Sequence, residues 1–439
     1  MRTTTPDSPR TQGRWHRAGA AVVATAALVL TGLGTAVQAN AAQTTTAATS
    51  SKVTYAATPC ATPKKTGELA CNSLRVTGGI TAYQKAQAKT EGITPKSADA
   101  STPSGYSPTN IRSAYGLTSA AASNGAGETI AIVDAYNDPN AESDLATYRS
   151  YYGLSACTTA NGCFKKVSQT GSTTSLPSSD AGWSEEISLD LDMASAVCPN
   201  CNILLVEATS ATMANLGKSV NEAVTLGAKF VSNSYGGSES SSDTTYDTSY
   251  FNHPGVAITV SAGDSGYGAE YPAASKYVTS VGGTKLSTSS TTRGWTETVW
   301  KTSSTEGTGS GCSSYDAKPT WQTDTGCTKR TISDVSAVAD PATGVSVYDS
   351  YGVTAGWYTF GGTSVSAPII AAVYALAGTP SSSSYPASFP YAKAGTSALN
   401  DVTSGNNGTC TTSYFCTATT GYDGPTGWGT PEGVSAFTG

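Results

Sequence analysis

Ser364 lies in a stretch of sequence that can present a serine hydroxyl at the start of a helix. Residues 361–363 are Gly-Gly-Thr, which allows a tight turn, and the apolar residues 369–376 predict the helix that follows. Pro368 is expected in the first turn of this helix, where proline is tolerated. Free backbone N–H groups at a helix N-terminus can hold an oxyanion, so the pattern indicates a nucleophile. The common alternative is a serine that only caps the helix.

A nucleophilic serine needs a general base, and histidine is the usual one. The chain has two histidines. His16 lies in an N-terminal stretch that we expect to be removed. His253 lies in an Asn-His-Pro-Gly turn before a predicted strand, where a solvated loop residue is the commoner role. The sequence therefore indicates that the base is not a histidine.

Glu186 and Asp190 are spaced so that their carboxyl groups share one face of a helix. Two carboxyls held together push their pKa values apart, which leaves one protonated and the other able to accept a proton. The alternative is an acidic, solvated face at a helix start, where such residues are favoured. Considered together with Ser364, the pair predicts a base built from carboxyl groups.

Asp264 lies in the segment Ser-Ala-Gly-Asp-Ser-Gly, residues 261–266, directly after a predicted strand. If it is protonated, its carboxyl can donate a hydrogen bond to an oxyanion. The alternative is a plain Asp-Ser-Gly turn. Asp134 also ends a predicted strand, but the histidine that such an aspartate would orient is missing, so the pattern does not favour a catalytic role for it.

Short apolar strands alternate with helices and must position these side chains. We predict strands at residues 129–133, 202–206, 229–233 and 255–260, with helices at 140–152 and 213–226. This order predicts an α/β fold, a parallel sheet with helices on both faces. In such sheets the active site lies at the carboxyl ends of the strands.

The N-terminal residues 1–41 have the layout of a secretory signal peptide, with arginines, an apolar run and a small-residue triplet at 39–41. A membrane anchor is the alternative, but the apolar run is short. We therefore expect a secreted, extracellular protein. Residues 42–105 are rich in Thr, Ala, Lys and Pro, which is typical of a pro-segment or linker.

The ten cysteines fall into neighbouring pairs, which in an exported protein predicts five local disulfides. The pairs are Cys60/Cys71, Cys157/Cys163, Cys198/Cys201, Cys312/Cys327 and Cys410/Cys416. The Cys-x-x-Cys spacing of Cys198 and Cys201 has no second pair to complete a zinc site, so a disulfide is favoured. Only 13% of the residues are charged and the net charge is -6, which predicts no nucleic-acid or membrane partner. We expect a monomer.

Taken in order along the chain, these motifs resemble the sedolisin family of serine-carboxyl peptidases, which are relatives of the subtilisins. The resemblance spans residues 106–439, which we expect to form the peptidase domain. Besides the Glu186 and Asp190 pair, the matching segments are residues 107–115, 232–236, 261–266, 271–275, 281–284, 334–337 and 362–364. It implies a subtilisin-like fold with Ser364 as nucleophile, Glu186 as general base, Asp190 as the residue that orients Glu186, and Asp264 in the oxyanion hole.

The resemblance also implies a structural calcium ion near the C-terminus. Asp401, Val402, Gly421 and Asp423 match the ends of that site, and Thr419 is a further candidate for a carbonyl ligand. Carboxylate and carbonyl oxygens suit Ca²⁺. The alternative is that each aspartate forms an Asx-turn.

These observations predict a secreted endopeptidase that acts on protein or peptide substrates and is most active in acid. One alternative is an exopeptidase of the same family that removes tripeptides. Another is a non-catalytic domain that binds peptides or cell-wall material, although such a domain has no need of Ser364 and Glu186 together.

Overall fold

The computed structural model describes residues 52–97 and 99–439, so the predicted signal peptide at residues 1–41 lies outside the described residues. The strands are β1 (Thr54–Ala57), β2 (Ala70–Cys71), β3 (Leu74–Gly78), β4 (Thr129–Ala135), β5 (Phe164–Ser168), β6 (Asn202–Ala208), β7 (Phe230–Asn233), β8 (Tyr235–Ser238), β9 (Ala257–Ser261), β10 (Ser265–Tyr267), β11 (Glu270–Tyr271), β12 (Thr279–Thr288), β13 (Trp295–Val299), β14 (Gly307–Ala317), β15 (Lys329–Ile332), β16 (Val335–Val338), β17 (Val345–Asp349), β18 (Gly356–Gly361), β19 (Leu399–Asn400) and β20 (Thr430–Pro431). The helices are α1 (Ala82–Glu91), α2 (Pro108–Ala114), α3 (Thr118–Ser123), α4 (Ala141–Tyr151), α5 (Ala181–Val197), α6 (Met213–Thr225), α7 (Asp243–Tyr246), α8 (Thr363–Ala377) and α9 (Phe389–Ala392).

The central sheet has eight strands in the order β13-β12-β9-β7-β4-β6-β5, with β16 paired to β12. All of these pairings are parallel except that of β13, which runs antiparallel to β12. The four predicted strands are β4, β6, β7 and β9, and the two predicted helices are α4 and α6. The α/β prediction is therefore confirmed.

Helices cover both faces of this sheet because every central strand is apolar on both sides. In β4, Ile130 and Ile132 pack in the same cluster as Ile369 of α8. The alternate residue Val133 packs in a second cluster with Leu216 of α6. Each such buried side chain contributes about 1.5–3 kcal/mol, so the two clusters together hold the fold and fix the ends of the strands.

Helix α8 begins earlier than the sequence suggested. We expected Pro368 in the first turn, but the helix starts at Thr363 and Pro368 lies inside it. Proline has no N–H to donate to the carbonyl of Ser364, one turn before it. The hydroxyl of Ser234 lies 3.5 Å from that carbonyl oxygen, farther than its 2.9 and 2.8 Å contacts with the carboxyl of Asp190. Pro368 thus leaves the Ser364 carbonyl without its helical donor, next to the residue that follows β7.

Part of the segment predicted to be a pro-segment or linker forms strands of two smaller sheets, separate from the central one. β1 pairs antiparallel with β3, and β3 pairs with β18, the strand that leads into α8. The short strand β2 pairs antiparallel with β8. All five predicted disulfides are present, and no free cysteine occurs among the described residues. Across residues 52–97 and 99–439, no helix is long and apolar enough to cross a membrane.

Candidate active site

The predicted catalytic residues converge at the carboxyl ends of the parallel strands. Ser364 lies in the first turn of α8, and Asp264 follows β9. Glu186 and Asp190 project from α5, whose N-terminus is capped by Asp180: its side chain accepts hydrogen bonds from the backbone N–H groups of Gly182 and Trp183. The alternative of a solvated acidic face is wrong for α5, because Glu186 and Asp190 are fully buried.

The hydroxyl of Ser364 is held between two backbone groups. Its Oγ accepts a hydrogen bond from the N–H of Asn72 at 3.1 Å and donates to the carbonyl of Ser234 at 3.3 Å. Gly362 precedes the helix with a φ of 97°, in the left-handed region that favours glycine. A Cβ at Gly362 would lie 2.2 Å from the carbonyl oxygen of Asn72, so glycine is also required by space.

Glu186 and Asp190 form a carboxyl pair next to this serine. Burial and the charges of Asp134 and Glu185 raise the pKa of Glu186 well above its usual value. Burial, Asp134 and Glu186 do the same to the pKa of Asp190. No group among the described residues meets hydrogen-bond geometry with the Glu186 oxygens, although the Ser364 hydroxyl lies close enough to lower its pKa in part. The pair can therefore hold a proton and remain available to the serine.

Ser234 links the carboxyl pair to Ser364. Its hydroxyl lies 2.9 and 2.8 Å from the two oxygens of Asp190, and its carbonyl accepts from Ser364. In the sequence, Ser234 stands out only as part of the segment 232–236. The contact with Ser234 fixes the carboxyl of Asp190, whose pKa is raised in part by the charge of Glu186.

Asp134 is a residue that the sequence analysis set aside and that the structure places beside the site. It is fully buried at the end of β4, and within the described part of the chain neither carboxyl oxygen has a hydrogen-bond partner. Burial and Glu207 raise its pKa to about 8, and its charge raises the pKa of both Glu186 and Asp190. Three carboxyl groups thus share this buried pocket, and the signal for the third was its position at a strand end.

Asp264 is tied to the start of α8. Its Oδ1 accepts hydrogen bonds from the backbone N–H and the hydroxyl of Thr363, both at 2.8 Å. Burial raises its pKa well above the usual value, against the lowering effect of the Thr363 bonds. A Cβ at Gly362 would lie 2.6 Å from Oδ2 of Asp264, so this oxygen faces the same space as the carbonyl oxygen of Asn72. A protonated Asp264 can therefore donate a hydrogen bond there.

His253 lies away from this constellation. It precedes β9, at the end of the strand opposite to Asp264, and its Nε2 lies 2.8 Å from Oδ1 of Asn221. Burial lowers its pKa, which does not make it a cationic partner for a carboxylate. The structure gives it a packing role against α6.

The residues predicted to bind calcium form a single group of loops. Oδ2 of Asp401 accepts from the N–H of Gly421 at 2.8 Å, and Oδ2 of Asp423 accepts from the N–H of Thr419 at 3.0 Å. The Asp401 bond spans 20 positions and is not an Asx-turn. Val402 is buried beside Asp401. Burial raises the pKa of Asp423 to about 7, and the charge of Asp401 adds to this effect, so a cation between the two carboxyls would be stabilising.

The chain is similar in sequence to known peptidases. The Subtilase family profile matches residues 178–389, a range that includes all four predicted catalytic residues. Kumamolisin from Bacillus sp. (strain MN-32) is 30% identical over 79% of this chain and 65% of its own length. Sedolisin from Pseudomonas sp. (strain 101) is 30% identical over 86% of this chain and 68% of its own length. The chain thus spans about two thirds of these relatives.

The solved structures give the same result. Pseudomonas sedolisin, a serine-carboxyl proteinase complexed with pseudo-iodotyrostatin, aligns with a TM-score of 0.62 and 27% identity over 76% of this chain and 96% of its own. An S41 psychrophilic protease, 19% identical with a TM-score of 0.50 over 76% of this chain and 99% of its own, shares the fold. With its subtilisin-like sheet and this level of identity to sedolisin over most of both chains, the chain belongs to the sedolisin family of serine-carboxyl peptidases.

Proposed function

We propose that this chain is a secreted serine-carboxyl endopeptidase that hydrolyses peptide bonds of proteins and is most active in acid. The observation that carries the proposal is the position of Ser364 Oγ beside a carboxyl pair, with Asp264 on the other side of the helix start. Membership of the family supports a serine-type peptidase. The proposed form is a monomer that acts on protein or peptide substrates and has neither nucleic-acid nor membrane partners.

The proposed reaction is acyl transfer to Ser364. Glu186 accepts the proton of the hydroxyl while Oγ attacks the substrate carbonyl carbon. The backbone N–H of Ser364 and the protonated carboxyl of Asp264 donate to the developing oxyanion. Glu186 then gives its proton to the leaving amine, and water releases the acyl group. Asp190, fixed by Ser234, holds Glu186 in place.

The preference for acid follows from the same groups. Asp264 can donate only while it is protonated, so the rate should fall as the pH rises through its raised pKa. At the acid limit Glu186 becomes protonated and no longer accepts the serine proton. Both disulfide sulfurs of Cys60 and Cys71 lie within 4.8 Å of a Glu186 oxygen, so part of its burial comes from the N-terminal segment. Once that segment is displaced, water should lower the pKa of Glu186 toward the acid range.

A cleft that is occupied on both sides of Ser364 favours endopeptidase over exopeptidase action. This cleft, here called the groove, is lined by β8 and by residues 264–270. The chain's own residues run along it in β2 before Asn72 and in β3 after it. A site that accepts a continuous chain does not require a free N-terminus. The sequence alone left this choice open.

We also propose a structural calcium ion held by the carboxylates of Asp401 and Asp423 and by backbone carbonyls of Val402, Thr419 and Gly421. The burial of Asp423 beside a second carboxyl supports it, because a cation would offset their repulsion. The ion's contribution would be to hold the C-terminal loops, with no part in the chemistry.

The experiment that tests the proposed function is hydrolysis of a denatured protein between pH 3 and 8 by the protein and two matched variants. Ser364→Ala should abolish cleavage. Ser366→Ala should retain it, because Ser366 lies in the same helix turn but donates to the carbonyl of Thr363. Internal cuts would support an endopeptidase, release of tripeptides alone would favour the exopeptidase, and no cleavage at any pH would favour the binding domain.

A further inference from the structure

Residues 58–73, here named the groove loop, lie beside β8 in the groove and reach Ser364. Its base is the antiparallel pair β1 and β3, and the disulfide between Cys60 and Cys71 closes it. Inside the loop, β2 pairs antiparallel with β8, with Ala70 opposite Gly236 and Cys71 opposite Tyr235. The loop therefore adds a strand to β8, which is how an extended peptide is usually held in such a groove.

Asn72 is the residue of the groove loop that meets the catalytic groups. Its N–H donates to the carbonyl of Ser234 at 3.3 Å and lies 3.1 Å from Ser364 Oγ. Its side-chain Nδ2 donates to Ser261 Oγ at 2.9 Å, at the end of β9. The side chain therefore occupies a pocket between the ends of β7 and β9.

The carbonyl of Asn72 lies where an oxyanion would form. The backbone N–H of Ser364 donates to this oxygen at 2.9 Å. The oxygen and Oδ2 of Asp264 both lie against Gly362, because a Cβ at that position would be 2.2 Å from the first and 2.6 Å from the second. The backbone N–H of Ser364 and the carboxyl of Asp264 thus flank the carbonyl of Asn72. The proposed mechanism places the same two groups around the carbonyl of a substrate.

Both sides of the Asn72–Ser73 peptide bond are tied to the same short stretch of chain. The Ser73 hydroxyl lies 2.8 Å from Thr58 Oγ1, and the Ser73 carbonyl accepts from the N–H of Thr58 at 3.2 Å. Cys71, on the other side of the bond, is joined to Cys60. If the bond were cut, the new ends would stay together, held by these contacts and by the pairing of β1 with β3.

We propose that the groove loop is an intramolecular inhibitor that binds this active site as a substrate does, with the Asn72–Ser73 bond at the nucleophile and the Cys60–Cys71 disulfide holding the loop in its binding conformation. The inference rests on the proposed function. Ser364 can form an ester with the carbonyl carbon of Asn72 while the proton passes through Glu186 to the amine of Ser73. Because that amine remains beside the ester, the peptide bond re-forms faster than water can enter.

A substrate must displace the groove loop, and the disulfide makes this difficult. A tethered competitor has an effective concentration of about millimolar, at or above most substrate KM values. Opening the disulfide frees the loop to sample other conformations, so binding would then carry a larger entropic cost. The structure thus assigns the Cys60–Cys71 bond a regulatory part that the other four disulfides do not share.

The first experiment compares disulfide variants of the full chain. Hydrolysis of a peptide in acid is measured for the protein, for Cys60→Ala/Cys71→Ala, and for the control Cys157→Ala/Cys163→Ala, which opens the disulfide that precedes the amino end of β5. We expect initial rates at least about tenfold higher in the first variant, given the effective concentration of a tethered loop. The control should match the parent. Equal initial rates in all three would overturn the inference.

Thr58→Val keeps the disulfide and removes the Ser73 hydroxyl contact, so it serves if the cysteine variant does not fold. It should accelerate cleavage of the Asn72–Ser73 bond, read as intact mass over time. If that rate is unchanged, Thr58 does not hold the cleaved ends and the inhibitor assignment is wrong.

A second measurement separates this inference from the proposed function. Hydrogen exchange is followed by mass spectrometry in a Ser364→Ala background, where no chemistry occurs. We expect slow exchange at the Asn72 amide and at residues 235–238, and faster exchange at both after Cys60→Ala/Cys71→Ala. Fast exchange at the Asn72 amide in the Ser364→Ala parent would overturn the groove-loop inference whatever the chain hydrolyses. Slow exchange with no hydrolysis in any released variant would contradict the proposed function alone.

A different cluster carries a second inference. Ligand oxygens of Glu239, Asp243 and Asp316 lie within 4.8 Å of one another, between the end of β8 and β14. Asp316 is fully buried, and neither of its oxygens meets hydrogen-bond geometry with any group in the described residues. Glu239 accepts from the N–H of Ser314 at 3.0 Å, which fixes its carboxyl toward the cluster.

We infer that Glu239, Asp243 and Asp316 form a second calcium site, distinct from the loops around Asp423. Hard carboxylate oxygens and two unsatisfied buried acceptors suit this ion. Asp247 lies near enough to share a proton with Asp316, which is the competing explanation of the same cluster. An ion here would join β14 to the end of β8, the strand that holds the groove loop.

Calcium binding is tested by titration calorimetry at pH 7 in the Ser364→Ala protein. We expect two sites, of which Asp316→Asn removes one and Asp423→Asn removes the other. Glu239→Gln provides a second test if Asp316→Asn fails to fold, and it should remove the same site. If the Asp316→Asn protein binds as much calcium as its parent, the cluster shares a proton and the inference is wrong.

Discussion

The buried carboxyl of Asp334 and the buried carboxyls around Glu186 have opposite surroundings. Asp334 is fully buried, and the guanidinium of Arg330 donates to both of its oxygens at 2.7 and 2.5 Å. Glu186 is equally buried but has no cationic partner among the described residues, and its nearest charged neighbours are other carboxyls. The guanidinium of Arg330 offsets the charge of Asp334, whereas bound protons reduce the charge of the carboxyls around Glu186. Only the carboxyls around Glu186 can move a proton during a reaction.

The difference follows from position in the sheet. Asp334 precedes β16 and also accepts from the N–H of Ser280 at 2.7 Å and from the Tyr391 hydroxyl at 2.7 Å, so its lone pairs are used. Glu186 projects from α5 toward the carboxyl ends of the strands, where Ser364, the groove loop and the carboxyls of Asp134 and Asp190 lie near it. A satisfied carboxylate stabilises the fold, whereas an unsatisfied one is available to a substrate.

Asp190→Asn should cause a large loss of rate. The amide can still accept from Ser234 but cannot share a proton with Glu186, so the base would be misprotonated. We expect a loss of about 10⁴-fold in kcat, as for the orienting acid of a triad. Single-turnover rates of the protein with the groove loop released measure this loss. A loss below tenfold would show that Asp190 only packs.

Asp334→Asn tests the other side of the comparison. It leaves the Arg330 guanidinium buried beside a neutral group, which typically costs about 3–5 kcal/mol of unfolding free energy. Urea unfolding in a Ser364→Ala background measures the cost. In a protein that keeps Ser364, the Asp334→Asn molecules that remain folded should hydrolyse peptides at the parental rate. A rate loss per folded molecule would contradict the distinction between the two groups.

Asp264→Ala should have a smaller effect on rate, because the Ser364 N–H remains in the oxyanion site. We expect a loss of about 10²–10³-fold in kcat with little change in KM. Asp264→Asn is the matched control: its amide can still donate, so it should retain more activity and lose less of it as the pH rises. Equal losses in both variants would mean that Asp264 does not donate to the oxyanion.

Protonation of Asp134 should also make the stability of the protein depend on pH. The pKa of Asp134 is raised to about 8, compared with an unfolded value near 3.9, so the folded state binds this proton more tightly. Its stabilising contribution is complete below about pH 4 and is lost as the pH rises through about 8. Melting temperatures of the Ser364→Ala protein should fall across that window. Asp134→Asn should make the fall shallower, and an unchanged slope would contradict the assignment.

The sequence carried the fold and the identity of the main catalytic groups, because both depend on local patterns. The apolar runs that became β4, β6, β7 and β9 are short and bounded, and the spacing of Glu186 and Asp190 is a helix spacing. The predicted start of α8 is wrong because a proline inside a helix is rare, and Pro368 therefore predicts a first turn.

The remaining features depend on contacts that no local pattern reveals. Asn72 contacts Ser364 across 292 positions of chain, and the low apolar periodicity around it predicts only a pro-segment or linker. The missing histidine disfavours a catalytic role for Asp134 in the sequence. Its effect on the pKa of Glu186 depends on burial, which arises only once β4 and α5 pack together.

The central claim is that a carboxyl pair, without histidine, activates Ser364. The most direct test is the pH profile of kcat/KM for Glu186→Gln and for the parent, both carrying Cys60→Ala/Cys71→Ala so that the groove loop is released. The account predicts an acid optimum in the parent and a loss of at least about 10⁴-fold in Glu186→Gln at every pH, with an unchanged melting temperature. Activity that survives in Glu186→Gln, or a parental optimum above neutral pH, would contradict it.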